Sequence, residues 1–288
     1  GGTASFTTSN PNDDIDLGTL ASTGPVSVNT NGATGHATVV NSIALALAAS
    51  TVGGNLTATA TTGNITDSGL ITVVGTAQLI TSGTNATIDL GTLAVTSAIG
   101  LSTTGGTGHA TIVNATAVDL AAMGIGGNLA VTATTGNITD SGTVTVGGTA
   151  TCTTSAANAD IDLGTLAVTS TIDLSTNGAT GHATIVNATG VDLAAMGIGG
   201  NLAVTATTGN ITDSGTVTVG GTATFTTSTA DADIDLGTLA VTSTIDLATS
   251  GSGGNATIVN ATAVDLAAMG IGGNLAVTAT LGNITDSG

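Results

Sequence analysis

The stretch "GGNLAVTATTGNITDSGTVTV" occupies residues 126–146 and returns without a change at 199–219. Its opening alternates. Leu129, Val131 and Ala133 fall on one side of an extended chain and Ala130, Thr132 and Thr134 on the other, the period of a half-buried strand. "TTGN" and "TDSG" then supply turn residues, and "TVTV" resumes the alternation. Short strands and tight corners follow one another with no helical period between them.

Working outward, "GNITDSG" stands at 63–69, 136–142, 209–215 and 282–288, always at the same spacing. "IDLG" (15–18, 88–91, 161–164, 234–237) keeps that spacing, and segments 115–151 and 188–224 differ only at Ala117 against Gly190. A fixed period of this kind marks a repeat architecture, in which one unit cannot bury its apolar face and its neighbours bury it. The chain divides into four repeats, 1–73, 74–146, 147–219 and 220–288, and reads as a single β-solenoid cut from a longer array. Ile234, Ile258 and Ile284 sit in similar contexts. Their spacing predicts three coils per repeat and about twelve coils in all, with corner chemistry copied from coil to coil. Ile65, Ile138, Ile211 and Ile284 are expected inside and in register three coils apart, with Leu129, Val131, Leu202 and Val204 also inside.

Composition agrees. The 288 residues contain no Lys, Arg, Glu, Trp or Tyr, and all 18 acidic residues are Asp. The helix formers Glu, Lys and Arg are absent and Gln occurs once, while Val, Ile, Thr and Gly abound. The core must be thin and aliphatic, because Phe6 and Phe225 are the only aromatics. A net charge of −18 without a cation excludes ordinary nucleic-acid binding, which needs basic side chains against phosphate, and disfavours anionic membranes. No apolar run is long enough for a membrane insertion.

"GNLAVTATTGNITDSGTVTVGGTAT" (127–151, and again 200–224) resembles the coil repeats of filamentous haemagglutinin-like proteins, large bacterial surface adhesins and related β-strand-repeat proteins. The resemblance implies a right-handed parallel β-helix, secretion and a surface role.

Few residues carry chemistry. His36, His109 and His182 recur in "TGHAT", but three coils apart they cannot share an ion, and Asn255 replaces the fourth; they read as exposed loop positions. Cys152 aligns with Phe6, Leu79 and Phe225, so it reads as a core thiol. Met123, Met196 and Met269 read as packing fillers. Asp67, Asp140, Asp213 and Asp286 copy one corner and do not break the repeat as a catalytic site would. The best metal candidate is calcium, an oxygen-seeking ion, at Asp160 and Asp162 after Asn158 and at Asp231, Asp233 and Asp235. No other cofactor is expected. The Thr-x-Thr pairs lie at different parts of the coil path and make no regular ice-matching array. Ten Asn-x-Thr sequons and many threonines offer glycan sites.

The expectation is a non-enzymatic extracellular protein that acts through length, stiffness and surface. It would form a filament or sheath by head-to-tail stacking, either with itself or as a continuation of the same chain, on a cell surface with its glycans and other components. The alternative is the stalk of a haemagglutinin-like adhesin. Residues 1–8, "GGTASFTT", nearly match the interior "GGTATFTT" at 220–227, which favours the filament.

Overall fold

The computed structural model describes residues 2–288, and every regular element among them is a β-strand. The chain forms two compact units, one ending at Gly148 and the other spanning Thr149–Gly288. Each is a β-solenoid whose coils cross two parallel sheets in turn.

In the first unit, one sheet stacks Ile15 beside Ala37, Ala37 beside Leu56, Leu56 beside Ala77 and Ala77 beside Ile99. The other sheet stacks Ile65 beside Ile88, Ile88 beside Ala110 and Ala110 beside Leu129. Between Ile15 and Ile88 the chain crosses from one sheet to the other seven times, through strands that start at 26, 37, 45, 56, 65, 77 and 88. One period of the repeat thus makes three and a half coils, not three. The coils are correspondingly shorter than the sequence spacing suggests.

The half coil has a consequence for every repeated residue. Ile15 and Ile88 lie in opposite sheets of the first unit, and Ile161 and Ile234 lie in opposite sheets of the second. The same holds for Ile65 against Ile138 and for Ile211 against Ile284. The expected register of these isoleucines three coils apart is therefore corrected: equivalent residues alternate between sheets. The missing half coil comes from "VDLAAMGI". Val118–Leu120 and Met123–Ile125 each pair with a neighbouring coil, although Ala121 and Ala122 between them interrupt the alternation.

Burial follows the alternation. Ile65, Ile138 and Ile211 are 0% exposed and Leu129, Val131, Leu202 and Val204 are 1% exposed. Ile284, expected inside, is 50% exposed. An inward side chain is covered by the coils on either side of it, and Ile284 lies on the last described coil.

Among the few buried polar residues, which include Thr81, Thr154 and Thr227, one asparagine recurs in every repeat. Asn41, Asn114, Asn187 and Asn260 are fully buried. The Asn187 carbonyl oxygen accepts the Val168 N–H at 2.8 Å, and its amide donates to Val168 O at 3.0 Å, Thr189 Oγ1 at 3.0 Å and Gly190 O at 2.8 Å. Asn114 repeats the set on Val95, Thr116 and Ala117. The asparagine sits where the pairing register slips, between Leu163 and Leu166 in this coil. There the side chain takes over backbone pairing that the slipped ladder cannot complete.

Asn187→Ala should therefore orphan the buried Val168 N–H, while Val168 O keeps the Thr189 hydroxyl, and lower unfolding free energy by about 3 kcal/mol. Thr205→Ala on the outer face should change it by no more than about 0.5 kcal/mol. Urea unfolding of the two variants reads the difference; equal costs would remove the asparagine from the account of stability.

Candidate functional site

The acidic corners are the most chemically endowed part of the surface, and their carboxylates face the next coil. Asp213, at the end of Ile211–Asp213, accepts the Gly237 N–H at 2.8 Å and the Thr238 N–H at 2.7 Å. It also accepts the Thr238 hydroxyl at 2.8 Å. In the first unit, Asp67 holds Gly91 and Thr92 in the same way, at 3.2, 2.7 and 2.6 Å. The Gly-Thr pair is the bulge of "IDLGTL", which turns two consecutive N–H groups toward one carboxylate. An anion held by aligned donors needs no cation, which suits a chain with none.

A second set of side chains links four coils in series. The Asp160 carboxylate accepts the His182 N–H at 2.8 Å. His182 Nδ1 accepts the Asn201 N–H at 2.8 Å, and Asn201 Oδ1 accepts the Thr222 N–H at 3.0 Å. Asp14, His36, Asn55 and Thr76 form the same series in the first unit. Because Nδ1 is the acceptor, the imidazole is neutral with its proton on Nε2. In the fourth repeat Asn255 stands in for histidine: it takes its N–H bond to Asp233 at 2.8 Å and accepts the Asn274 N–H at 2.9 Å. Gly200 is required beside the ring, since a Cβ there would lie 2.5 Å from His182 Nδ1. His36 and His182 are exposed and His109 is half-buried. The histidines are therefore loop residues, as expected, with a bonding role that the spacing did not disclose.

The five aspartates singled out for calcium are distributed among other tasks. Asp160 and Asp233 head the two series just described. Asp231 has a left-handed backbone (φ 63°) and accepts the Gly253 N–H at 2.7 Å. Asp162 and Asp235 are exposed on strands of opposite sheets, paired with Thr184 and Thr257. The structure thus separates the two clusters, and among the described residues no three His, Cys, Asp or Glu side chains converge as a metal site.

Cys152 lies in the core at 2% exposure beside Leu174, as its apolar counterparts imply. Burial, assisted by the charge of Asp173, pushes its thiol from the ordinary 9.0 up to about 12. Burial also raises the carboxyl of Asp173 above the usual range. Of the aspartates on the outer sheet faces, Asp119 and Asp192 each keep one Oδ1 buried without a hydrogen-bond partner. Asp192 borders an open surface groove of about 530 Å³ with Ser170, Thr189, Gly190, Asn210 and Thr212. Gly190 is the single difference between the two near-identical segments, and a Cβ there would press on Asn210 O at 3.0 Å. Hydroxyls, the Asn210 amide and the Asp192 carboxylate line the groove beside Val191 and two glycines.

His182→Asn should be tolerated within about 0.5 kcal/mol, whereas His182→Leu should cost about 1 kcal/mol by orphaning the Asn201 N–H. Thermal unfolding of the pair checks this, and equal behaviour would deny the imidazole its role.

The thiol gives a second expected outcome. The folded state holds the Cys152 proton up to about 12, so the associated stability is complete below the ordinary thiol value and is lost as pH rises toward 12. The slope is at most roughly 1.4 kcal/mol per pH unit. No Lys, Arg or Tyr titrates in that window, so Cys152→Val should flatten the alkaline arm of a stability–pH curve. A curve of unchanged slope would be the contrary result. Asp173 acts at the other end. Its raised pKa means that stability tied to it is present below the ordinary carboxylate range and lost above the raised value. Asp173→Ser, the residue at position 27, should raise the melting temperature at pH 7 and leave it unchanged at pH 2.5.

No curated protein and no solved structure matches the chain. A family model, repeats of unknown function (DUF5649), matches residues 34–94, 107–177, 180–248 and 253–288. The starts of these matches are spaced as the corners and the buried asparagines are. The chain is a β-repeat protein and belongs to the family of repeats of unknown function (DUF5649).

Proposed function

We propose that this chain is an extracellular structural protein, without enzymatic activity, that forms a stiff filament or sheath by end-to-end stacking of its coils. One observation carries this reading. A recurring set of polar side chains holds one coil to the next: Asp213 on Gly237 and Thr238, Asp160 on His182, His182 on Asn201. A chain that directs its polar groups along the coil stack is built for mechanical continuity. The outer faces, rich in threonine and aspartate, would face water and the glycans of a cell surface.

A second reading keeps the same material and changes its place. The likeness of 127–151 and 200–224 to filamentous haemagglutinin-like coils supports a stalk that carries an adhesive tip borne by other sequence. Electron microscopy of the purified chain separates the two. Uniform fibres many times longer than one molecule are expected. Particles that stay monomeric at millimolar concentration would overturn the filament and leave the stalk.

A further inference from the structure

Ten Asn-x-Thr sequons stand in the sequence, and the structure sorts them by what each amide is already doing. N-linked transfer joins a sugar to the side-chain Nδ2. It takes one of the two amide hydrogens and leaves Oδ1 able to accept. An asparagine that serves the fold through Oδ1 can therefore carry a glycan, and one that serves it through Nδ2 cannot. Asn55, Asn64, Asn85 and Asn210 are of the first kind, and all four are exposed. In the first unit, Oδ1 of Asn55, Asn64 and Asn85 accepts the N–H of Thr76, Thr87 and Thr107 at 2.9, 3.0 and 3.2 Å. In the second unit, Asn210 accepts the Asp233 N–H at 2.9 Å. Among the described residues, the Nδ2 atoms of these four have no acceptor. Asn114, Asn187 and Asn260 are of the second kind: they are 0% exposed, and their amides donate to surrounding peptide oxygens. Asn255 joins them, half-buried, with Nδ2 donating to Asp233 Oδ1 at 3.1 Å and Gly253 O at 2.8 Å. The same tripeptide, Asn-Ala-Thr, occurs in both kinds, at 85–87 and at 114–116, so the motif alone does not separate them.

We propose that Asn55, Asn64, Asn85 and Asn210 are N-glycan acceptor sites of the folded chain, and that Asn114, Asn187, Asn255 and Asn260 are closed to the same chemistry. In the transfer, Nδ2 bonds to the anomeric carbon of a glycosyl diphosphate donor. The bond from that carbon to the diphosphate oxygen breaks, the diphosphate leaves with the electron pair, and one amide proton passes to a base of the transferase. Transfer follows folding. A glycan placed earlier on Asn187 would have to enter the core with its hydroxyls unpaired, and it would take a hydrogen from an amide that donates to Val168, Thr189 and Gly190. On Asn64 or Asn210 the sugar stays in water, and the bond that Oδ1 accepts from the next coil is kept. The assignment does not depend on how the coils assemble.

Asn85 and Asn114 test the selection, because they share a motif and differ in burial. The chain has no Lys or Arg, but cleavage before aspartate puts Asn85 on the peptide 67–88 and Asn114 on 89–118. The folded chain and this digest are each given a soluble N-glycosyltransferase that accepts Asn-x-Thr, with its nucleotide-sugar donor, and the sugar on each peptide is read by mass spectrometry. Reaction at a buried amide waits on local unfolding, so the folded chain should carry at least about tenfold more sugar on Asn85 than on Asn114. The digest should carry equal amounts. Equal labelling of the folded chain, or a folded chain inert at Asn85 where the digest accepts, would overturn the assignment. The same bias in the digest would trace it to sequence and overturn it too. Chain recovered from the cells that make it gives a second reading: a sugar mass is expected on at least one of Asn55, Asn64, Asn85 and Asn210. Finding all four unmodified, or sugar on Asn187, would be the contrary result.

Discussion

An inward aliphatic side chain in this protein is fully buried only where a coil lies both above and below it. Leu202 and Leu275 occupy the same place in the repeat, yet one is 1% and the other 41% exposed. A globular core closes over itself from many directions; here cover comes along one axis. Each coil must therefore offer its neighbours the same outline, and this explains why corners are copied letter for letter. It also explains where the charge goes. With 18 aspartates and no cation, ion pairs are not available, and the corner carboxylates are held by backbone N–H groups of the adjoining coil. The polar side chains thereby reinforce the direction in which the apolar ones need help.

The half coil places a second demand on the sequence. Because one period closes three and a half coils, the same residues must serve one sheet in one repeat and the opposite sheet in the next. Ile161–Val168 and Ile234–Val241 do this with the same alternation of buried and exposed positions, although they belong to different sheets. The two sheets are chemically alike as a result. Surface features such as the corner aspartates are presented on both sides of the coil in turn.

Much of this is legible in the sequence. Strict alternation at 129–133 places Leu129 and Val131 inside, and the apolar counterparts Leu79 and Phe225 place Cys152 there. The coil count is not legible, because "VDLAAMGI" pairs as strands while its two alanines interrupt the two-residue period. Asn114 and Asn187 do not stand out either, because alternation says which side a residue faces and not that a register slip leaves peptide groups for it to satisfy. The calcium reading missed the aspartates' partners for a similar reason. Asp160 and His182 are 22 residues apart in sequence, and their contact exists only once the coil length is known.

What the repeats preserve is a bond and not a residue. Histidine at 182 becomes asparagine at 255, and the acceptor for the next coil's N–H survives at 2.8 and 2.9 Å. Asn158 becomes Asp231, both with φ 63°, and each accepts from the coil above, at 3.1 and 2.7 Å. Asparagine and aspartate tolerate that left-handed backbone better than other residues with a side chain, so the exchange costs little geometry. Gly200 has no such latitude, because the space a side chain would need is taken by the imidazole of His182. Divergence between repeats is thus open wherever another side chain can present an acceptor at the same point, and closed where two coils approach too nearly for a side chain at all.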